Sequence, residues 1–465
     1  MTTPDQAVSA AEAAAAGWAA APPETRAATL TAVADALEEA RAELVALADG
    51  ESRLGETRLN AELTRTTFQL RLFAGEVRAG GFLDVRIDRP DPDWPSGPRP
   101  DLRRYRTAVG PVLVFAAGNF PFAFSVAGGD TSSAWAAGCP VVVKAHPGHP
   151  RLSRLTAALV TAVVPEGVFG LIEGEREGVE ALGHPAIAAA AFTGSQRGGL
   201  ALARVAAERP VPIPFYGELG SVNPAVVTER AAKARGEEIA AAYVGSLTLG
   251  AGQFCTNPGL LFVPAHDGIV DRIAGLLGAV PAAPMLNDRV ESGYLAAADT
   301  LAGRPGVRRL LWPEGPGPRL LTMSLADFAA DKDVAGEECF GPLGLVVTYE
   351  HLTEVAALLA SLPGQLTASL HGEEPEAAEL TGLTAVLAGR SGRVLWNQWP
   401  TGVSVTHAMQ HGGPFPATTT PATTSVGTAA VERFLRPVAY QGCPPELLPP
   451  PLRDDNPWGV PQRLS

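Results

Sequence analysis

Leu30, Val33, Leu37, Ala40 and Leu44 recur at steps of three and four, which predicts a helix with one apolar stripe. Pro22 and Pro23 precede that helix, and Gly50 stands where it should end. Leu59, Leu63, Leu70 and Phe73 repeat the spacing in a second helix, so the chain begins as a helical layer. The pattern then changes. GFLDVRI (81–87) and LRRYRTAV (102–109) alternate apolar and polar positions around a Pro-rich connection, as edge strands of a projecting hairpin would.

From residue 109 onward, short apolar runs separated by helical segments predict a parallel, doubly wound sheet. VGPVLVFA, CPVVVKAH, FGLIEG and AIAAAAFTGS are its expected strands, with helices over 123–137, 151–163 and 196–207. After residue 218 the alternation resumes: VNPAVVT, GLLFVP and LGLVVTY as strands, with helices over 237–252, 267–279 and 353–361. Residues 400–427 are rich in Gly, Pro and Thr, too long for a turn and better suited to a binding loop. The tail from Val431 to Ser465 is Pro-rich and shows little period.

The 465 residues exceed one ordinary core, so two or three domains are expected. A net charge of -13 argues against nucleic-acid or acidic-membrane partners and leaves any anionic substrate in need of a local cationic pocket. Cys139, Cys255, Cys339 and Cys443 are too scattered for a disulfide framework, and no CxxC or His spacing suggests zinc. Four reduced thiols, no signal segment and apolar runs broken by Gly and Pro suggest a cytoplasmic protein.

Candidate chemistry lies at five places. GAGQFCTNPG sets Cys255 in a Gly-bracketed turn where a nucleophile could be reached, although a free Cys is more often a small buried hydrophobe. FYGELGSVNP places Glu218 after an apolar strand end, where desolvation should raise its pKa and fit it as a base; a surface or capping glutamate is the plain alternative. AAGNFPFAF offers Asn119 as a neutral oxyanion donor, or as an Asx turn before Pro121. FTGSQRGG is a strand, a turn at Gly194 and Ser195, and a helix start suited to pyrophosphate without being a GxGxxG fingerprint. Lys144 in VVVKAHP ends a strand, where open α/β sheets bind ligands, or is a solvated lysine.

In order, Asn119, Lys144, Gly194-Ser195, Glu218, Cys255 and EECFGP (337–342) resemble the aldehyde dehydrogenase superfamily from about residue 25 to the C-terminus. ELGSVNP, KAHPGHP, GQLTASLHG, NQWPTGVSVTHAMQHGGPFPAT, TSVGTAAVERFLRPVAYQ and ELLPPPLRDDNP look like its 2,5-dioxovalerate (α-ketoglutarate semialdehyde) dehydrogenase branch, which is closely related to NADP-dependent fatty aldehyde dehydrogenases. The usual Lys of the glutamate motif is Val222 here. The resemblance implies an α/β fold of two doubly wound parallel-sheet domains plus a small oligomerisation hairpin. A dinucleotide-binding domain would comprise 1–81 and 109–217, and a catalytic domain 218–427. Residues 82–108 with 428–465 would bridge a homodimer or homotetramer.

It also implies roles. Cys255 would attack an aldehyde, Asn119 and the Cys255 N–H would hold the oxyanion, and Glu218 would activate the hydrolytic water. Lys144, His146, Pro147, Gly194, Ser195, Gly199, Leu219, Glu338 and Phe340 would surround NAD(P), and no metal is needed. NAD-specific members commonly carry a glutamate three residues after the ribose-binding lysine. Pro147 holds that position, so NADP is the expected preference, with NAD usable and with Lys144, His146 or His149 supplying positive charge. Rival readings are a catalytically silent relative, which should have lost Cys255 or Glu218, and a thiol hydrolase or acyl-transferase, which would need a His beside the Cys. Arg103, Arg104, Arg433 and Arg436 are equally open as anchors for a substrate carboxylate.

Overall fold

The computed structural model describes residues 3–331, 336 and 338–465; Glu337 of EECFGP lies outside them. The N-terminal layer is helical, but its apolar stripe is shared by two helices, Pro23–Glu39 and Arg41–Ser52. Ala40 is the joint, and Gly50 sits inside the second helix, which ends at Arg53 in a left-handed conformation. Leu30, Val33, Leu37 and Leu44 are all buried against the helix Glu56–Ala79 and its neighbours. Each such side chain contributes about 1.5–3 kcal/mol over its exposed state.

Five parallel strands form the first sheet, in the order Phe169–Ile172, Val141–Lys144, Val112–Phe115, Ala189–Thr193, Phe215–Glu218. The chain starts in the middle strand, winds outward to one side, then returns to fill the other. The strand order therefore reverses between Val112–Phe115 and Ala189–Thr193, and ligands bind at the carboxyl ends beside such a reversal. The expected helix over 123–137 begins only at Gly129. The preceding backbone is held instead by buried Glu62, which accepts hydrogen bonds from the N–H groups of Phe122 and Ala123.

The second sheet has seven strands, ordered Arg308–Leu311, Arg319–Ser324, Leu343–Tyr349, Leu260–Pro264, Ala225–Val227, Gln365–His371, Ser391–Trp396. All pair in parallel except the antiparallel edge strand Arg308–Leu311. The fold is thus α/β with two doubly wound sheets, and its helices flank both.

The hairpin strands Val85–Asp88 and Leu102–Ala108 pair as expected, but they are interior rather than edge strands. The apparently aperiodic tail supplies Leu435–Gln441 on one side and Gln462–Leu464 on the other, completing a four-stranded sheet. A lone hairpin is marginally stable, so the tail gives this unit the neighbours it requires. No helix among the described residues is long and apolar enough to cross a membrane.

Candidate active site

Glu218 ends the strand Phe215–Glu218 at the rim of the five-stranded sheet. The loop 400–427 continues that sheet edge. Thr419 N–H donates to Gly217 O at 3.0 Å, Leu219 N–H donates to Ala417 O at 2.8 Å, and Glu218 bridges to Thr418. This pairing delivers His411 and Ser425 to the glutamate. Oε1 of Glu218 lies 2.8 Å from His411 Nε2, and Oε2 accepts a hydrogen bond from Ser425 Oγ. The His411 backbone is itself fixed, with its N–H on Thr424 Oγ1 at 2.8 Å and its carbonyl receiving Ser425 N–H at 2.8 Å.

Cys255 approaches from the second sheet. The helix Glu229–Thr248 ends in a tight turn in which Gly250, Ala251 and Gly252 all have positive φ. A Cβ on Gly252 would lie 2.3 Å from the Gly341 carbonyl carbon, so only glycine fits there. Three amides then lock the turn. Asn119 Nδ2 donates to Gln253 O at 3.1 Å, Asn223 Nδ2 to Cys255 O at 2.8 Å, and Asn257 Nδ2 to Leu247 O at 2.8 Å. The half-buried sulfur lies 3.5 Å from His411 Nε2. Nε2 faces both the sulfur and the carboxylate, and with a single hydrogen there it can serve only one at a time.

Electrostatics correct one expectation. Burial does act to raise the Glu218 pKa, but His411, the Ser425 hydroxyl and the Cys255 thiol outweigh it, and the net direction is downward. Burial first, and the Glu218 carboxylate second, push the Cys255 thiol well above its usual range. The resting arrangement is a thiol beside an ionised carboxylate, with His411 between them. The donor atoms of Cys255, His411 and Glu218 lie within 4.8 Å of one another, close enough to share one transition-metal ion, although proton exchange needs none.

Asn119 follows the switch-point strand Val112–Phe115, which brings its amide to the Cys255 turn. Lys144 ends the next strand; it is buried, and burial lowers its pKa. The neighbouring histidines cannot add charge as expected. His146 is pushed down to about 3 by burial, with His149 and Lys144 adding to the effect, and burial also lowers His149, whose Nε2 lies 3.0 Å from Ala117 O. Pro147 is exposed beside them.

Ser195 caps the helix Gln196–Ala207, accepting a hydrogen bond from Gly198 N–H at 3.3 Å. A Cβ on Gly199 would lie 2.2 Å from Leu219 Cδ2, so this helix sits hard against the sheet. Thr193 Oγ1, at the strand end before Gly194, is buried without a partner. A helix N-terminus, an orphan hydroxyl and a lysine, the last two at the ends of the strands on either side of Val112–Phe115, fit a dinucleotide phosphate and ribose. Glu338 is turned inward onto the Ser221 N–H, where burial raises its pKa to about 7; Phe340 lines the same cleft.

In the sequence His411, Ser425 and Asn223 stand out only as parts of longer stretches. The Gly-, Pro- and Thr-rich composition of 400–427 marked the loop, but nothing in it distinguished His411 from His407. The arginines weighed as carboxylate anchors are occupied elsewhere or lie outside. Arg103 pairs with Asp101 and Asp454, Arg104 with Asp84, Arg433 with buried Asp130 at 2.8 Å, and Arg436 is exposed on the four-stranded sheet.

The family described as "Aldehyde dehydrogenase family" matches residues 2–297. The chain is 45% identical over 457 residues to alpha-ketoglutaric semialdehyde dehydrogenase 2 of Azospirillum brasilense, covering 95% of this chain and 87% of that one. It is 42% identical to alpha-ketoglutaric semialdehyde dehydrogenase of Acinetobacter baylyi, covering 94% and 86%. Among solved structures, aldehyde dehydrogenase C of Pseudomonas syringae, complexed with NAD+ and octanal, superposes with a TM-score of 0.79 at 22% identity, covering 96% of this chain and 90% of that one. By the family match over residues 2–297 and the relatives at 45% and 42% identity, this chain belongs to the aldehyde dehydrogenase family, whose members use NAD(P).

Proposed function

We propose that the chain oxidises 2,5-dioxopentanoate to 2-oxoglutarate, with Cys255 as nucleophile, Glu218 as base and Asn119 as oxyanion donor. The observation carrying this reading is the convergence of Cys255 and Glu218 on His411 within 3.5 Å. The names of the relatives at 45% and 42% identity support the substrate.

In this reading the Cys255 sulfur bonds to the aldehyde carbon, and its proton leaves toward His411 and Glu218. The oxyanion turns to the Asn119 amide and the Cys255 N–H, which makes no hydrogen bond among the described residues. Hydride acceptance is the chemistry a bound NAD(P) supplies. The resulting thioester on Cys255 is cleaved by water. Glu218 is ionised and oriented by Ser425, and takes that water's proton. Aldehyde, water and NAD(P)+ thus give carboxylate, NAD(P)H and two protons. Lys144 and Glu338 would hold the riboses, with Ser195, Gly194 and its helix on the pyrophosphate.

His411 beside Cys255 is also what the hydrolase reading needed. The dinucleotide-compatible elements at Lys144, Thr193 and Ser195 favour the dehydrogenase. A medium- or long-chain aldehyde is the alternative substrate. Steady-state kinetics across 2,5-dioxopentanoate, succinic semialdehyde and octanal decide: we expect the highest kcat/KM with 2,5-dioxopentanoate, and a higher value with octanal would overturn the assignment. The protein would act in the cytoplasm as a homodimer or homotetramer joined through the four-stranded sheet.

NADP should serve at least as well as NAD. With His146 and His149 neutral, the positive charge rests on Lys144, with Arg289 close enough to act on Lys144 and His146. Pro147 presents no carboxylate to repel a 2'-phosphate. A Pro147→Glu variant should lose NADP kcat/KM by about tenfold to a hundredfold while NAD kcat/KM changes little. A clear wild-type preference for NAD would refute the argument.

A further inference from the structure

The helix Glu56–Ala79 points Arg58, Glu62 and Arg65 from one face, since steps of four and three bring them into line. That face meets the wall of the reaction centre. The Arg58 guanidinium stacks 4.7 Å over the ring of Phe254, the residue before Cys255, and 5.2 Å over Phe120, the residue after Asn119. Its Nη2 donates to the Asn119 carbonyl at 2.7 Å. Arg65 stacks 5.2 Å over Phe124. Phe120 packs edge-to-face on both Phe124 and Phe254, at 5.4 and 5.5 Å, so the three rings form one aromatic wall with two cations laid along it.

These cations are under-partnered. Nη1 of Arg58 and Nη1 of Arg65 are both buried without a hydrogen bond, and Arg65 has no hydrogen-bond or ion-pair partner among the described residues. Glu62 does not neutralise them by contact. One of its oxygens is committed to the N–H groups of Phe122 and Ala123, no ion pair within 4.0 Å joins it to either arginine, and burial raises its pKa. A buried guanidinium donor left unpaired is unfavourable and is rare in native proteins. Arg65 is also near enough to Cys255 and Glu218 to interact with both electrostatically. The overall charge of -13 gives an anionic substrate no long-range attraction, which leaves recognition to a local pair such as this one.

We propose that Arg65, supported by Arg58, is the subsite that binds the carboxylate at the far end of the aldehyde substrate. The guanidinium fork matches a carboxylate's two oxygens, and the aromatic wall gives the intervening carbons an apolar path to Cys255. This assignment rests on the semialdehyde reading above and adds to it the residues that select the acid.

The test compares kcat/KM for succinic semialdehyde with that for butanal, which has the same chain length and no carboxylate, in the wild-type enzyme and in Arg65→Met, Arg65→Lys and Arg65→Glu. The wild type should prefer the acid. Arg65→Met should cut the acid-to-neutral ratio by about a hundredfold or more, mainly through KM for the acid, and Arg65→Lys should restore part of it. Arg65→Glu should shift preference toward 4-aminobutanal, whose ammonium complements the new carboxylate. If the wild type prefers the acid and the ratio survives in Arg65→Met, the subsite is elsewhere while the substrate reading stands. If the wild type shows no preference for the acid, both fall. Because each variant is scored by a ratio of two substrates on the same preparation, partial misfolding does not mimic the result.

Discussion

Cys255→Ala should lower aldehyde oxidation by about 10⁵-fold or more, because the proposed covalent intermediate forms on this sulfur. The replacement removes only the sulfur. The turn is held by amides of Asn119, Asn223 and Asn257 acting on backbone carbonyls, so it should survive. Cofactor binding, followed by fluorescence titration with NADPH, should be close to that of the unmodified enzyme. Turnover of even a few per cent would mean that another group is the nucleophile. Cys139, Cys339 and Cys443 should each accept Ala with activity near normal, since none touches Glu218 or His411.

Glu218→Gln should separate the two halves of the reaction. Glutamine keeps the shape and can still accept from Ser425, but it cannot take a proton from water. A burst of reduced cofactor followed by steady turnover about 10²–10⁴-fold slower is expected on rapid mixing. Equal slowing of both phases would move Glu218 from hydrolysis to activation of the thiol. The same variant carries a second sign. Glu218 is, after burial, the largest contributor holding the Cys255 pKa above its usual value. Removing the charge should therefore lower that pKa, enlarge the thiolate fraction at fixed pH, and speed alkylation by iodoacetamide. Unchanged alkylation would show that burial alone governs the sulfur.

The elements legible in sequence were those with strong internal period or punctuation. The strands Val112–Phe115, Val141–Lys144 and Leu260–Pro264, and the helix Gln196–Ala207, lie where their patterns place them. Cys255, Glu218 and Asn119 were legible because glycines or prolines frame them, and the structure brings all three to one site. The misplacements share a cause, which is that tertiary partners override local pattern. Nothing near Ala40 announces a helix break, and the strand Leu435–Gln441 is exposed along much of its length, so it shows no apolar alternation. The direction of the Glu218 pKa depends on His411 and Ser425, which lie almost two hundred residues or more away in sequence and reach it only through the fold. Arg58 and Arg65 carry no signal in the sequence that links them to Phe120, Phe124 and Phe254, which only the fold brings against them.

The reaction centre is divided between the two sheets. The sulfur hangs from the seven-stranded sheet and the carboxylate from the five-stranded one, and the imidazole rides on the loop hydrogen-bonded along the latter's edge. Neither half alone holds both Cys255 and Glu218. A nascent chain that has completed only its first sheet has no thiol beside Glu218. Separating the halves would break the 3.5 Å alignment of Cys255 with His411 even with both cores intact. On the proposed mechanism catalytic competence is a property of docking, and activity should report on the seam between the halves more sensitively than any measure of secondary structure.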